Sequence, residues 1–127
     1  MKIINLLFFI FICSTTATIH RLTEKDNNAV LHIDKTDEIH IILKTNPTTG
    51  YQWDIQYDSE LLTIQKDEIV EEEHPVGMVG YPSSRKIQLL PISTSSSTES
   101  TITLYYRRPW EKSKDPSITL TYNIHFN

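Results

Sequence analysis

The segment Ile118-Thr119-Leu120-Thr121-Tyr122-Asn123-Ile124-His125-Phe126 alternates apolar and polar residues without a break. Successive side chains of a strand point to opposite faces, so this segment can make one apolar and one polar face as a strand. As a helix it would spread the same residues around its circumference. Period two dominates from Ala29 onward, and no window longer than about ten residues holds a helical stripe. The pattern predicts strands at roughly Asp37 to Thr45, with Ile39, Ile41 and Leu43 inward, and at Tyr51 to Tyr57, with Trp53 and Ile55 inward. Further strands are predicted at Leu61 to Val70, at Arg85 to Ile92 with Ile87 and Leu89 inward, and at Thr101 to Tyr106 with Ile102, Leu104 and Tyr106 inward. With one or two leading strands between Ile19 and Ile33, the fold class is all-β, an immunoglobulin-like β-sandwich of about seven to eight strands.

The 127 residues have room for one domain. Met1 to Ala17 reads as a signal peptide: Lys2 supplies the positive start, Leu6 to Cys13 is an uninterrupted apolar run, and Thr15-x-Ala17 offers small residues for cleavage. That run is too short to anchor the chain across a bilayer. Cleavage near Ala17 leaves residues 18–127, that is 127 − 17 = 110 residues, expected to be monomeric and free of the membrane. Cys13 is the only cysteine and leaves with the signal peptide. A disulfide scaffold, a thiol enzyme and a zinc–cysteine module are thereby excluded for the mature chain. Losing Lys2 takes the formal charge from 12 − 16 = −4 to 11 − 16 = −5. An acidic domain without a basic stripe argues against nucleic acid as a partner.

No enzyme pattern emerges. No serine sits in a Gly-x-Ser-x-Gly context, and the five histidines, His20, His32, His40, His74 and His125, form no His-x-x-x-His pair. Glu71, Glu72 and Glu73 lack the spacing of a calcium loop and read as a solvated acidic run. No catalytic residue, metal ligand or cofactor is expected. Ser93 to Ser100 is serine and threonine broken by one glutamate, and reads as a solvated loop or loose strand edge.

Three connections differ in character: Asn46 to Gly50, Glu71 to Ser84 and Arg107 to Ser117. In an immunoglobulin-type order they are alternate connections and emerge at one end of the sandwich. In the first, Pro47 fixes its own φ and biases Asn46 away from helix, while Gly50 can take a positive φ. A stiff turn with two small hydroxyls at its tip is expected. Asn46-Pro47-Thr48 carries no N-linked sugar, because proline occupies the middle position of the acceptor pattern.

Asn46-Pro47-Thr48-Thr49-Gly50-Tyr51, with Trp53 following, resembles the Asn-Pro-Thr-Thr-Gly-aromatic signature of the chagasin family of cysteine protease inhibitors. Gly77-Met78-Val79-Gly80 is similar to that family's Gly-x-Gly-rich loop, and Arg108-Pro109-Trp110-Glu111 to its Arg-Pro-Trp/Phe loop, in the same order. The resemblance runs from about Ile33 to Phe126 and departs from the pattern at Tyr81, where many relatives carry another glycine. It implies a reversible, tight-binding inhibitor that occludes the active-site cleft of papain-like cysteine proteases with these three loops. Thr48 and Thr49 would then meet the catalytic cysteine and histidine, with Asn46, Pro47 and Gly50 shaping the tip. Arg108, Pro109 and Trp110 would contact the primed side of the cleft. Gly77, Met78, Val79 and Gly80 would lie over the non-primed side.

Trp110, flanked by Arg108, Pro109, Glu111 and Lys112, is expected at a loop tip, whereas Trp53 is expected in the core. The fold alone would equally suit a secreted adhesion or carbohydrate-binding module using the same end loops. A signal peptide gives entry to the secretory route, and secretion or delivery to a lysosome- or phagosome-like compartment is expected.

Overall fold

The computed structural model describes residues 17–71, 83–92, 98–111 and 114–127. Among these residues eight strands form two four-stranded sheets: β1 (Ile19–Leu22), β2 (Val30–Ile33), β3 (Glu38–Thr45), β4 (Gln52–Gln56), β5 (Leu62–Glu71), β6 (Ser83–Pro91), β7 (Glu99–Arg107) and β8 (Ile118–Phe126). One sheet has the order β1-β3-β6-β5 and the other β2-β8-β7-β4. The chain's start is thus divided between the layers: β1 pairs parallel with β3, and β2 pairs parallel with β8. The other pairs are antiparallel.

The alternation that predicts the strands also fills the core. Ile39, Ile41 and Leu43 of β3, Ile87 and Leu89 of β6, and Leu62 of β5 face Ile102 and Leu104 of β7, Leu120, Tyr122 and Ile124 of β8, and Trp53 of β4, all buried. Burying one such aliphatic side chain contributes about 1.5–3 kcal/mol. Tyr122 keeps a polar partner inside, its hydroxyl donating to the Thr23 carbonyl at 2.8 Å. Burial, reinforced by Asp26 and Glu24, pushes its phenol up to about 12.

Three details depart from the sequence expectation. Glu99 and Ser100 belong to β7, opposite His125 and Ile124, and the Thr98 carbonyl accepts the Phe126 N–H at 2.8 Å. The end of β8 supplies ladder partners that local composition could not reveal, and residues 93–97 of the same stretch lie outside the described residues. Ile118, the first apolar residue of the alternation, is 38% exposed because β8 begins there, beyond the edge of the core. Ile55, Tyr106 and Phe126 pack against the core only partly buried. The signal-peptide segment also falls outside the described residues, apart from Ala17.

The registers bring the three unusual connections to one pole. Thr45, at the end of β3, lies opposite Ser83, at the start of β6, and Ser83 lies opposite Glu71, at the end of β5. In the other sheet Gln52 pairs with Arg107 and Tyr106 with Ile118. The beginnings of β1 and β3 and the ends of β2 and β8 define the opposite pole, about 25 Å away along a strand of eight residues.

Candidate functional site

Residues Pro47–Thr49 form a single 3₁₀ turn between β3 and β4. Proline suits the first position of a helical turn, where its missing N–H leaves nothing unmade. Asn46 caps the turn: its Oδ1 accepts the Thr48 N–H at 3.3 Å and the Thr48 hydroxyl at 2.6 Å. The Thr49 hydroxyl donates to the Asn46 carbonyl at 2.7 Å. Both hydroxyls donate inward, and Oγ1 of Thr49 also accepts the Tyr51 N–H at 3.4 Å, so at the exposed tip Oγ1 of Thr48 is presented as an acceptor. Gly50 closes the turn at φ +79°, with its N–H on the Pro47 carbonyl at 3.1 Å. A side chain there would be doubly excluded, because a Cβ would also collide with Cη2 of Trp110.

That contact joins the first loop to the third. Trp110 is 71% exposed, as expected for a loop tip, with part of its ring over Gly50. Arg108 ties the loops together from below: its Nε donates to the Thr49 carbonyl at 3.1 Å, and its guanidinium sits 4.6 Å from the centre of the Tyr51 ring. Glu111 lies 3.7 Å from Nη1 of Arg108 and donates its N–H to the Arg108 carbonyl at 3.0 Å. Ser117 closes the base of the loop by donating to the Tyr106 carbonyl at 2.9 Å. Pro109 is exposed beside Trp110.

Beneath Arg108 the rings form a column. Tyr51 stacks on Tyr106 with centroids 5.1 Å apart, and Tyr106 meets the buried Trp53 at 4.8 Å. Trp53 Nε1 donates to the Lys44 carbonyl at 3.0 Å, which fastens β4 to β3 across the two sheets. The loop pole is therefore continuous with the core through four stacked groups.

Two residues of this support were not singled out as site residues in the sequence. The alternation points Tyr106 inward, but its place between Tyr51 and Trp53 depends on the β4–β7 register, which sets it opposite Trp53. Arg85 sends Nε and Nη2 to the two carboxylate oxygens of Asp67, at 2.9 and 2.7 Å, and donates through Nη1 to the Trp53 carbonyl. Asp67 is eighteen residues away in sequence and reaches Arg85 only because β5 and β6 pair as they do. Past the last core layer these inward positions line a groove of about 540 Å³, with Pro47 and Tyr51 on one wall and Glu68 and Ile69 on the other.

The structure thus brings together Asn46, Pro47, Thr48, Thr49 and Gly50 with Arg108, Pro109 and Trp110. Gly77, Met78, Val79 and Gly80 lie outside the described residues; the strand ends that flank them, Glu71 and Ser83, pair with each other at the same pole. The described histidines pair elsewhere: His20 with Asp37 at 3.0 Å, His40 with Glu38 at 2.9 Å, and His125 with Glu99 at 3.4 Å while its ring stacks on His32. Among the described residues no three metal-binding side chains converge, and no helix is long and apolar enough to cross a membrane.

Known proteins are similar to this chain over most of its length. Amoebiasin-2 of Entamoeba histolytica is 49% identical over 119 residues, 93% of this chain and 94% of the relative. Amoebiasin-1 of the same organism is 36% identical over 104 residues, 81% of this chain and 97% of the relative. The crystal structure of the cysteine protease inhibitor EhICP2 from Entamoeba histolytica matches with a TM-score of 0.80 at 47% identity, covering 88% of this chain and 98% of that one. Residues 32–125, from within β2 to within β8, match the profile of the chagasin family of peptidase inhibitors, I42. The chain, with its latched Asn-Pro-Thr-Thr-Gly turn beside an exposed Arg-Pro-Trp tip, belongs to the chagasin family of peptidase inhibitors.

Proposed function

We propose that this chain is a reversible, tight-binding inhibitor of papain-like cysteine proteases, that it catalyses nothing itself, and that its loop pole fills the protease's active-site cleft. The observation that carries the reading is the cross-linked tip: Asn46, Thr48 and Thr49 hydrogen-bonded among themselves, Arg108 on the Thr49 carbonyl, and Trp110 lying exposed over Gly50. Such a loop has already lost its conformational freedom on folding, so less entropy is lost when it enters a cleft. Complexes of proteases with protein inhibitors typically bury about 1,600 Å² in total, an area that three neighbouring loops can supply.

In this reading Thr48 and Thr49 meet the catalytic cysteine and histidine. Attack by the thiolate needs a carbonyl carbon held at about 3–3.5 Å in line. The tip is curled into a 3₁₀ turn, and the Thr49 carbonyl oxygen is already engaged by Arg108. The turn therefore occupies the cleft without presenting a cleavable peptide, and inhibition is occlusion without a covalent bond. Trp110, with Arg108 and Pro109 beside it, anchors the primed side, and Gly77, Met78, Val79 and Gly80 cover the non-primed side. Residues 1–17 act as a signal peptide, and the mature inhibitor works along the secretory route, outside the cell or in a lysosome-like compartment.

The test is to incubate residues 18–127 with papain and follow hydrolysis of a small peptide substrate. Dose-dependent, reversible loss of hydrolysis with the inhibitor chain left intact is expected. Full activity at micromolar inhibitor would overturn the reading.

A further inference from the structure

At the pole opposite the loops, Asp37 is a buried carboxylate, 5% exposed, on which three donors converge. The Thr18 N–H reaches Oδ1 at 3.2 Å, while the Asp34 N–H and His20 Nε2 reach Oδ2 at 2.9 and 3.0 Å. Burial alone would raise its pKa, but the bonds from Asp34, His20 and Thr18 hold the carboxyl below the ordinary 3.8, so it is ionised at neutral pH. Among the described residues its one charged partner is His20, which carries charge only when protonated. Around them, the Asp34 carboxylate takes the Asn127 amide at 2.8 Å, and Glu38 pairs with His40. A buried carboxylate gains from a full positive charge in contact with it far more than from a neutral amide.

Thr18 is the first residue the fold holds at both ends. Its carbonyl accepts the Glu38 N–H at 3.0 Å, its N–H is on Asp37, and the parallel ladder of β1 on β3 begins with the next residue. Ala17 is exposed and belongs to no strand. The small-residue pattern Thr15-x-Ala17 marks the bond between these two residues.

We propose that signal-peptide cleavage falls at the Ala17–Thr18 bond and that the new Thr18 α-ammonium forms a permanent ion pair with Asp37, making removal of the leader a stabilising step for the fold. The proposal rests on the reading of residues 1–17 as a signal peptide. Hydrolysis by a leader-removing protease adds one water across the bond, leaving a carboxylate on Ala17 and an amine on Thr18 that takes a proton at neutral pH. One amide donor becomes three ammonium donors with a unit charge, already 3.2 Å from Oδ1. Because β1 enters at the pole remote from Thr48 and Trp110, the ion pair acts on stability and not on protease binding.

The test starts with the full chain expressed in a secreting eukaryotic cell. Intact mass and N-terminal sequencing of the product should show Thr18 first, and any other first residue would overturn the proposal. Thermal unfolding is then compared for the secreted protein and its Nα-acetylated form, in the Asp37 protein and in Asp37→Asn. Acetylation should lower the midpoint by several degrees with Asp37 and leave it within a degree with asparagine; equal shifts in both would overturn the ion pair. If Asp37→Asn does not fold, NMR titration of the wild-type α-amine decides: it should titrate at least a unit above the ordinary range of about 7.7–8.0, and a value within that range would contradict the pairing. Papain inhibition should be the same for free and acetylated protein, so this proposal and the inhibitor reading fail separately.

Discussion

The two poles of the sandwich end the same strands in opposite ways. At the loop pole the core continues outward as stacked rings, Trp53, Tyr106 and Tyr51, capped by Arg108, and it ends on a tryptophan 71% exposed. At the other pole the strands end on a buried carboxylate gathered by backbone and histidine donors, with tight turns at Asp34–Asp37, and the large apolar side chain left open there, Ile19, is 39% exposed against the 71% of Trp110. Satisfied polar groups close a domain against solvent. An apolar ring left uncovered over a rigid turn is a surface shaped for a partner. If, as proposed, binding belongs to the loop pole and fold stability to the other, substitutions at the two poles should separate accordingly.

The largest effect on inhibition is expected from Trp110→Ala. Removing an exposed aromatic anchor costs about 2–4 kcal/mol of binding, or roughly 30- to 1,000-fold in the papain inhibition constant, with the thermal midpoint almost unchanged. A large fall in the midpoint would instead make Trp110 part of the structural cap. Arg108→Ala removes the bond to Thr49 and the cover over Tyr51; a charge-assisted bond contributes about 1.5–3 kcal/mol, so inhibition should weaken roughly 10- to 100-fold. Arg108→Lys should restore little, because an ammonium cannot both reach the carbonyl and lie flat on the ring. Mass spectrometry of the Arg108→Ala complex should also show slow cleavage within Asn46–Tyr51 if the latch is what withholds the turn from attack.

Gly50→Ala strains a positive φ and pushes on the Trp110 ring, so it should lower both affinity, by about tenfold, and stability, by about 1 kcal/mol. Asp37→Asn should leave inhibition unchanged and affect stability alone, as urea unfolding would measure. The sign follows from the lowered pKa: the folded state favours the ionised carboxylate, so its contribution is fully present above the ordinary 3.8 and is lost as pH falls through the lower folded value. The difference in stability between wild type and Asp37→Asn should therefore be constant from pH 7 to about 5 and shrink below about 4.

The strands and the core were legible because period two is a local signal: Ile39, Ile41 and Leu43, or Leu120, Tyr122 and Ile124, declare their inner face without reference to any partner strand. The turn at Asn46–Gly50 was legible for the same reason, since proline, asparagine and glycine act on their own backbone. What the sequence withheld depends on register. Arg85 with Asp67, the Tyr51–Tyr106–Trp53 column and the hold of Arg108 on Thr49 join residues distant along the chain, and each exists only once the sheets are assembled. The start of β7 at Glu99, inside a serine-rich stretch, was hidden likewise, because its reason lies in the end of β8. The resemblance to a family supplied Arg108 as a contact to the protease; the geometry adds that Arg108 holds the inhibitor's own loop.

Hydrogen–deuterium exchange on the inhibitor, free and saturated with papain, tests the assignment of the two poles most directly. Slowed exchange is predicted in peptides covering Asn46–Tyr51 and Arg107–Ser117, with peptides covering Thr18–Leu22 and Asp34–Glu38 unchanged. Protection centred on Asp34–Glu38, or none at Asn46–Tyr51 in a saturated complex, would contradict the account.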